Sequence, residues 1–175
     1  MILSLENISL SFGGIKAVNQ VSLQVAPGEI FALIGPNGAG KSTIFNIISR
    51  YYRQSNGSIF YKDKTIDQLE PHQLSKIGVA RTFQNIELFP NSTVLQNLLV
   101  GQNSSKKSNF LQELLFLPSV RKAEIKRRII AEEVIDFLNL QPFREKPISA
   151  LSYGTRKVVE LGRALTMKPK LLLLD

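Results

Sequence analysis

The sequence contains no cysteine. That excludes a disulfide scaffold and cysteine-ligated zinc, and it accords with a reducing compartment. No stretch approaches eighteen consecutive apolar residues, so no bilayer-spanning helix is expected. A basic leader is also missing: "MILSLENISLSFGG" carries Glu6 early and alternates like a strand, unlike a secretory signal. Histidine occurs once, as His72 in "EPHQL", and a lone histidine in a polar stretch is read as a surface residue.

Apolar residues make up 43% of the 175 and charged residues 21%, which places the chain among globular domains of ordinary size. The net charge of +8 admits nucleic acid, anionic lipid, phosphate ligands or simply a solvated surface. Much of the excess lies in "VRKAEIKRRIIAEEVIDFLNL", from Arg121 and Lys122 to Lys126, Arg127 and Arg128, ahead of Glu132 and Glu133. Ile125, Ile129, Ile130, Val134, Ile135 and Leu138 recur there at helical spacing, so an amphipathic helix with a charged outer face is expected. Basic residues are not interleaved with aromatics, and nucleic-acid binding is not expected.

Along the chain, "ILSLENISLSF" and "VSLQVAP" read as alternating strands separated by "GGIKAVNQ". "GEIFALIG" is a continuous apolar run, as expected of a strand covered on both faces. A helix follows in "PNGAGKSTIFNIISRYY", and "NGSIFYKDKTID" reads as a hairpin with Asn56-Gly57 as its turn signal. Helical pattern dominates from about Val94 to Leu140, broken by "GQNSSKKSN" and Pro118. "TRKVVELGRALTM" is a further helix, and "KLLLLD" a final buried strand. The fold class is α/β, with a helical insertion between two returns to the sheet: about 1–85 plus 165–175 form the core and β region, and about 86–164 the insertion.

"GPNGAGKST" fits G-x-x-x-x-G-K-[ST], with Gly35, Gly40, Lys41 and Ser42 at the fixed positions. In such a cradle, glycines let backbone N–H groups turn toward phosphate oxygens, and the helix starting near Lys41 directs its positive end to the same place. The spacing assigns Pro36, Asn37, Gly38, Ala39 and Thr43 to the same nucleotide loop, Lys41 to the β- and γ-phosphates and Ser42 to Mg²⁺. A chance match in a chain this long is on the order of one in a hundred, before the strand–loop–helix context is counted. In P-loop ATPases a carboxylate at the end of an apolar strand holds the metal, and Asp175 after "LLLL" is the candidate.

Three further stretches give the chain a family resemblance. "LSYGTRK" resembles the signature of ATP-binding cassette proteins, "RTFQNIELFPNSTVLQN" resembles their Q-loop, and "LSFGGIKAVNQVSL" resembles their N-terminal strand and A-loop. The resemblance covers essentially the whole chain and implies a P-loop NTPase core with an N-terminal antiparallel β region and a helical subdomain. It implies Phe12 stacked on the adenine, Val18 among the nucleotide-binding residues, Gln84 as a ligand of Mg²⁺ or the attacking water, and Lys41 and Asp175 as its catalytic companions. Leu151, Ser152, Tyr153, Gly154 and Thr155 would cap the ATP of a second subunit in a head-to-tail dimer. Tyr153 stands where the family usually has glycine, and Thr155-Arg156 replace its usual glutamine region.

"GVARTFQN", "LFPNSTVLQNLLVG" and "LSYG" resemble the ATPase subunits of branched-chain amino-acid importers. ATP and Mg²⁺ are the implied ligands. Permease subunits are the implied membrane partners, with peripheral placement on the cytoplasmic face of the inner membrane. Leu88, Phe89 and Pro90 suit either a groove for a partner's helix or packing within the insertion. The family pattern continues past the Walker B aspartate with a glutamate base, a D-loop, a core strand and a switch histidine. The chain is therefore expected to be a fragment lacking a central strand, and His72 does not occupy the switch position. A non-transport cassette protein of translation or repair, and an ATP-binding fragment without hydrolysis, are the alternatives.

Overall fold

A computed structural model of the chain describes residues 1–82, 85–102 and 118–175. They fall into two compact units, Met1–Leu74 with Asp175, and Ser75–Leu174.

The first unit is built on an antiparallel sheet. Strands β1 (Leu3–Phe12) and β2 (Ile15–Val25) form a hairpin, and β1 also pairs with β3 (Asn56–Tyr61), which turns back into the short β4 (Lys64–Thr65). The connection between β1 and β2 is only Gly13-Gly14, with φ of 50° and 86°. Two positive φ values in succession make the tight turn that matches strand twist, and glycine adopts them without strain. "IKAVNQ", expected as a linker, is therefore part of β2. The second hairpin turns at Lys62-Asp63, with φ of 49° and 59°, whereas Asn56-Gly57 lies inside β3, where the ladder with β1 shifts register.

Leu3, Leu5, Ile8, Leu10, Val18, Val25, Ile59 and Tyr61 form the buried side of the sheet strands. Helix α1 (Lys41–Ile48) contacts β2 and buries Ile44, Ile47 and Ile48. Its end is anchored by a buried polar network. Arg50, 5% exposed, donates to Gln54 Oε1 at 2.7 Å and to the Asp67 carbonyl at 2.5 Å. Gln54 Nε2 and the Ile59 N–H both donate to Asp67 Oδ1, at 2.6 and 3.0 Å, and Thr65 Oγ1 donates to Oδ2 at 3.1 Å. Burial holds the Arg50 pKa below its ordinary value, and the Asp67 charge partly opposes that.

Residues 28–35, expected as a covered strand, pair with no strand among the described residues. Ile30 is 99% and Ile34 90% exposed, and Phe31 is exposed as well. β-propensity becomes a strand only when a neighbour supplies the ladder, and none does here.

The second unit begins within α2 (Pro71–Ile77), on which His72 is exposed as expected. Strand β5 (Val79–Arg81) pairs in parallel with β6 (Leu171–Leu173), and the Thr82 N–H extends the ladder to the Leu173 carbonyl at 3.0 Å. Leu173 is buried and Leu174 exposed, so "LLLL" is covered only in part.

Among the described residues this unit also holds the α-helices α3 (Val94–Gly101), α4 (Pro118–Phe137) and α5 (Tyr153–Leu165). Thr93 and Gln96 close a reciprocal capping box at the start of α3. Their shared core includes Val94, Leu98, Ala131, Ile135, Leu140 and Val159. The expected stripe of α4 holds in its second half, where Ile135 is buried and Val134 and Leu138 pack on the core, but not in its first, where Ile125 and Ile129 are 52% and 53% exposed. The inward face also carries Arg127, which donates from Nη2 to the Leu99 carbonyl at 3.1 Å and accepts at its own carbonyl from Gln102 Nε2 at 2.8 Å. The polar linker within "GQNSSKKSN" lies largely outside the described residues.

Two outcomes are expected from this packing. Asp67→Ala should lower unfolding stability by about 2–4 kcal/mol, since three donors lose their acceptor, whereas Asp67→Asn keeps Oδ1 and should cost about 1 kcal/mol; urea denaturation checks both. Exposed Ile30 and Ile34 on an unpaired segment should also make the chain self-associate. Ile30→Lys combined with Ile34→Asp should shift light scattering toward monomer while leaving the far-ultraviolet circular dichroism unchanged.

Candidate functional site

The phosphate-loop sequence occupies the turn before α1. Pro36 to Gly40 carry the chain from the unpaired segment into the helix, with the Ala39 N–H donating to the Pro36 carbonyl at 3.2 Å. Gly40 is the cap of α1 at φ 82°, and its carbonyl accepts from the Ile44 N–H at 2.9 Å. A Cβ built on Gly40 would stand 2.5 Å from the Ala17 carbonyl oxygen and 3.4 Å from Val18 Cγ2. Both the left-handed backbone and the close approach to β2 therefore demand glycine. Val18 is buried, so its side chain supports the loop from behind.

Lys41 folds back over the loop. Its Nζ donates to the Gly35 and Pro36 carbonyls, each at 2.6 Å. An ammonium held on two carbonyls at the head of a helix concentrates positive charge where the helix dipole already places it. Ser42, in the first turn, is exposed. Asp175 is exposed and groups with the first unit. Among the described residues no cluster of three or more His, Cys, Asp or Glu forms a metal site. Mg²⁺ does not need one, because it takes one or two protein oxygens and fills its shell with water and phosphate; a serine hydroxyl and one carboxylate fit it. Gln84 lies outside the described residues.

Phe12 ends β1 at the hairpin turn, opposite Ile15, and is 47% exposed. An exposed aromatic at a tight turn offers a flat apolar surface to a ring. Its neighbour is Tyr52, whose ring centroid lies 5.2 Å away at an interplanar angle of 73°. No local sequence pattern predicts that contact, since the two residues are forty positions apart.

The signature residues belong to the second unit and form the start of α5. Ser152 is the N-cap: its Oγ accepts from the Thr155 N–H at 3.2 Å and lies 2.9 Å from Thr155 Oγ1. Thr155, which departs from the family pattern, thus meets the cap hydroxyl of its own helix. Tyr153 is 68% exposed, Gly154 is exposed, and a Cβ on Gly154 would meet nothing within 4 Å. Leu151 is buried in the helical core. Arg156 fixes the approach to the helix by donating from Nε to the Leu151 carbonyl and from Nη2 to the Ser149 carbonyl, both at 2.9 Å.

The loop before α3 is held from inside. Asn97, fully buried, accepts from the Phe89 N–H at 2.8 Å and donates from Nδ2 to the Phe89 and Thr93 carbonyls at 3.1 and 2.9 Å. Leu88 packs on the helical core, whereas Phe89 and Pro90 are exposed. The packing reading of this stretch therefore holds for Leu88.

Comparison with known proteins places this geometry. The chain is 37% identical over 174 residues to the high-affinity branched-chain amino acid transport ATP-binding protein LivG of Escherichia coli K12, covering 99% of this chain and 68% of that one. A nucleotide-free ATP-binding cassette from an ABC transporter superposes with a TM-score of 0.82 at 36% identity, over 99% of this chain and 68% of the solved one. The ADP conformation of an ATP-binding cassette of an ABC transporter gives 0.81, also at 36% identity, over 98% and 66%. A family profile described as ABC transporter matches residues 18–175, and the chain belongs to that family.

Proposed function

We propose that the chain is the ATP-binding subunit of an importer, coupling ATP binding and hydrolysis to passage of branched-chain or related amino acids through a membrane permease. The observation that carries the reading is the loop of Lys41 and left-handed Gly40 at the head of α1, on a β-unit that presents Phe12. The relatives' names as branched-chain amino acid transport ATP-binding proteins support the choice of cargo.

In this reading the β- and γ-phosphates replace the Gly35 and Pro36 carbonyls as partners of the Lys41 ammonium. The exchange is favourable because a charge-assisted bond to phosphate is stronger than one to a neutral carbonyl. The loop N–H groups from Gly38 to Thr43 line the phosphates, and Phe12 stacks on adenine. Ser42 and Asp175 would hold Mg²⁺, with Gln84 assigned to it by the family resemblance alone, and the ion neutralises phosphate charge when bound.

Ser152 and Gly154, exposed at the positive start of α5, face the nucleotide of a second subunit in a head-to-tail dimer. Phe89 and Pro90 are offered to the permease. No helix among the described residues is long and apolar enough to cross a membrane, and attachment at the cytoplasmic face of the inner membrane runs through the permease subunits.

Lys41→Ala should weaken ATP binding by at least tenfold, because the phosphates lose their nearest cation, and Lys41→Arg should not restore it, since a planar fork does not fit two carbonyls and a tight loop as a compact ammonium does. Titration calorimetry checks this, and unchanged affinity in Lys41→Ala would remove the phosphate-loop assignment. Gly154→Asp should fold, having open space for the side chain, and, in the Ile30→Lys, Ile34→Asp background, should bind ATP as a monomer like its parent. ATP-driven dimerisation should fall, because a carboxylate then faces a phosphate across the interface. Equal loss of monomer binding would contradict the division between the two ends of the subunit. Uptake of branched-chain amino acids in vesicles reconstituted with the permease subunits tests the cargo.

A further inference from the structure

The Phe12–Tyr52 pair joins two parts of the chain that both lead to the phosphate loop. Phe12 stands at the tip of the β1–β2 hairpin, and β2 runs from it past Ala17 and Val18, the residues against which Gly40 is pressed. Tyr52 follows α1, the helix that the loop opens. Its N–H donates to the Asn46 carbonyl at 3.1 Å, and the Arg50 N–H donates to Ile47 at 3.0 Å, so the chain is wrapped against the end of the helix before it reaches Tyr52. Arg50 is itself locked in the Gln54–Asp67 network. Tyr52, 40% exposed, thus stands on an anchored stretch of backbone.

Phe12 does not. It is the last residue of a strand at a two-residue turn, about half exposed, and its cross-strand neighbour Ile15 is 74% exposed. Left alone, its ring would rotate freely about χ1, and stacking a base on it would require ordering it first. Tyr52 meets it edge to face at 5.2 Å and 73°. Such a contact covers at most one face of Phe12 and leaves at least one for a second ring.

We propose that Tyr52 is the positioning residue of the base platform: it holds the Phe12 ring in one orientation so that a purine stacks on a surface already ordered. The inference rests on the reading of the loop as a nucleotide site and adds to it a residue that touches no nucleotide atom. Its signature is selective. Loss of Tyr52 should affect the part of the ligand that reaches Phe12 and spare the part held by Lys41.

The test measures binding of ATP and of inorganic tripolyphosphate, each with Mg²⁺, to the full chain and to Tyr52→Ala, Tyr52→Phe, Tyr52→Leu and Lys41→Ala. Tyr52→Ala should weaken ATP about two- to tenfold, the range of an edge-to-face pair, and leave tripolyphosphate unchanged. Tyr52→Phe keeps the ring and should match the parent, whereas Tyr52→Leu should behave like alanine. Lys41→Ala should weaken both ligands. The sequence has no tryptophan, so Phe12→Trp introduces a single indole whose fluorescence anisotropy, without ligand, should drop when Tyr52→Ala is added and recover with Tyr52→Phe.

Unchanged ATP affinity in Tyr52→Ala overturns the proposal. So does an equal loss for both ligands, which would mark disturbance of α1, or a leucine variant equal to the parent, which would mark bulk rather than ring geometry. If the parent chain binds tripolyphosphate while ATP affinity ignores Tyr52, the phosphate site stands and the platform support falls. If the parent binds neither ligand, the nucleotide reading fails and carries this proposal with it.

Discussion

The approach of Gly40 to the Ala17 carbonyl is the constraint on which the first unit is organised. At 2.5 Å from a virtual Cβ, the contact leaves no room for any side chain, and φ of 82° suits none. Because the loop presses on β2 at that point, α1 starts where the hairpin passes, and the hairpin tip that carries Phe12 is placed in register with the helix. A short helix on its own would be marginal. Here Ile44, Ile47 and Ile48 bury one face, and the Arg50–Gln54–Asp67 network secures the far end. The start of α1 is thus free to be polar and electropositive.

The second unit solves a different problem with the same means. Its exposed turns are held by polar side chains that bind backbone groups of the neighbouring loop. Asn97 satisfies three backbone groups of the loop that presents Phe89, and Arg156 binds two carbonyls ahead of the signature helix. Buried polar groups are costly unless satisfied, and satisfied ones specify a single loop conformation. Tyr153, Gly154 and Phe89 can then be exposed without being loosely placed.

Much was legible in the linear order of motifs. "GPNGAGKST" specifies a glycine-lined turn into a helix, because only that conformation lets the spacing of two glycines and a lysine surround an anion. "LSYGTRK" was legible as a helix start, although the helix takes in Tyr153 and Gly154 rather than beginning after them. The strands of the first sheet followed from alternation. The run "GEIFALIG" did not become one, since apolar composition supplies a preference and only a paired neighbour supplies the hydrogen bonds.

The sequence by itself determined the family, the chemistry of the phosphate loop and the periodic faces of most elements, because each depends on residues close together along the chain. Tertiary structure decided what depends on distant residues. It chose which side of α4 is buried, turning Ile125 and Ile129 outward and Arg127 inward toward the Leu99 carbonyl. It moved the second hairpin's turn to Lys62-Asp63, where the register with β1 required it. It also brought Tyr52 to Phe12 across forty residues. No local pattern encodes such a pairing: the separation is fixed by how a hairpin and a helix pack, and that packing is a property of the whole sheet rather than of either segment.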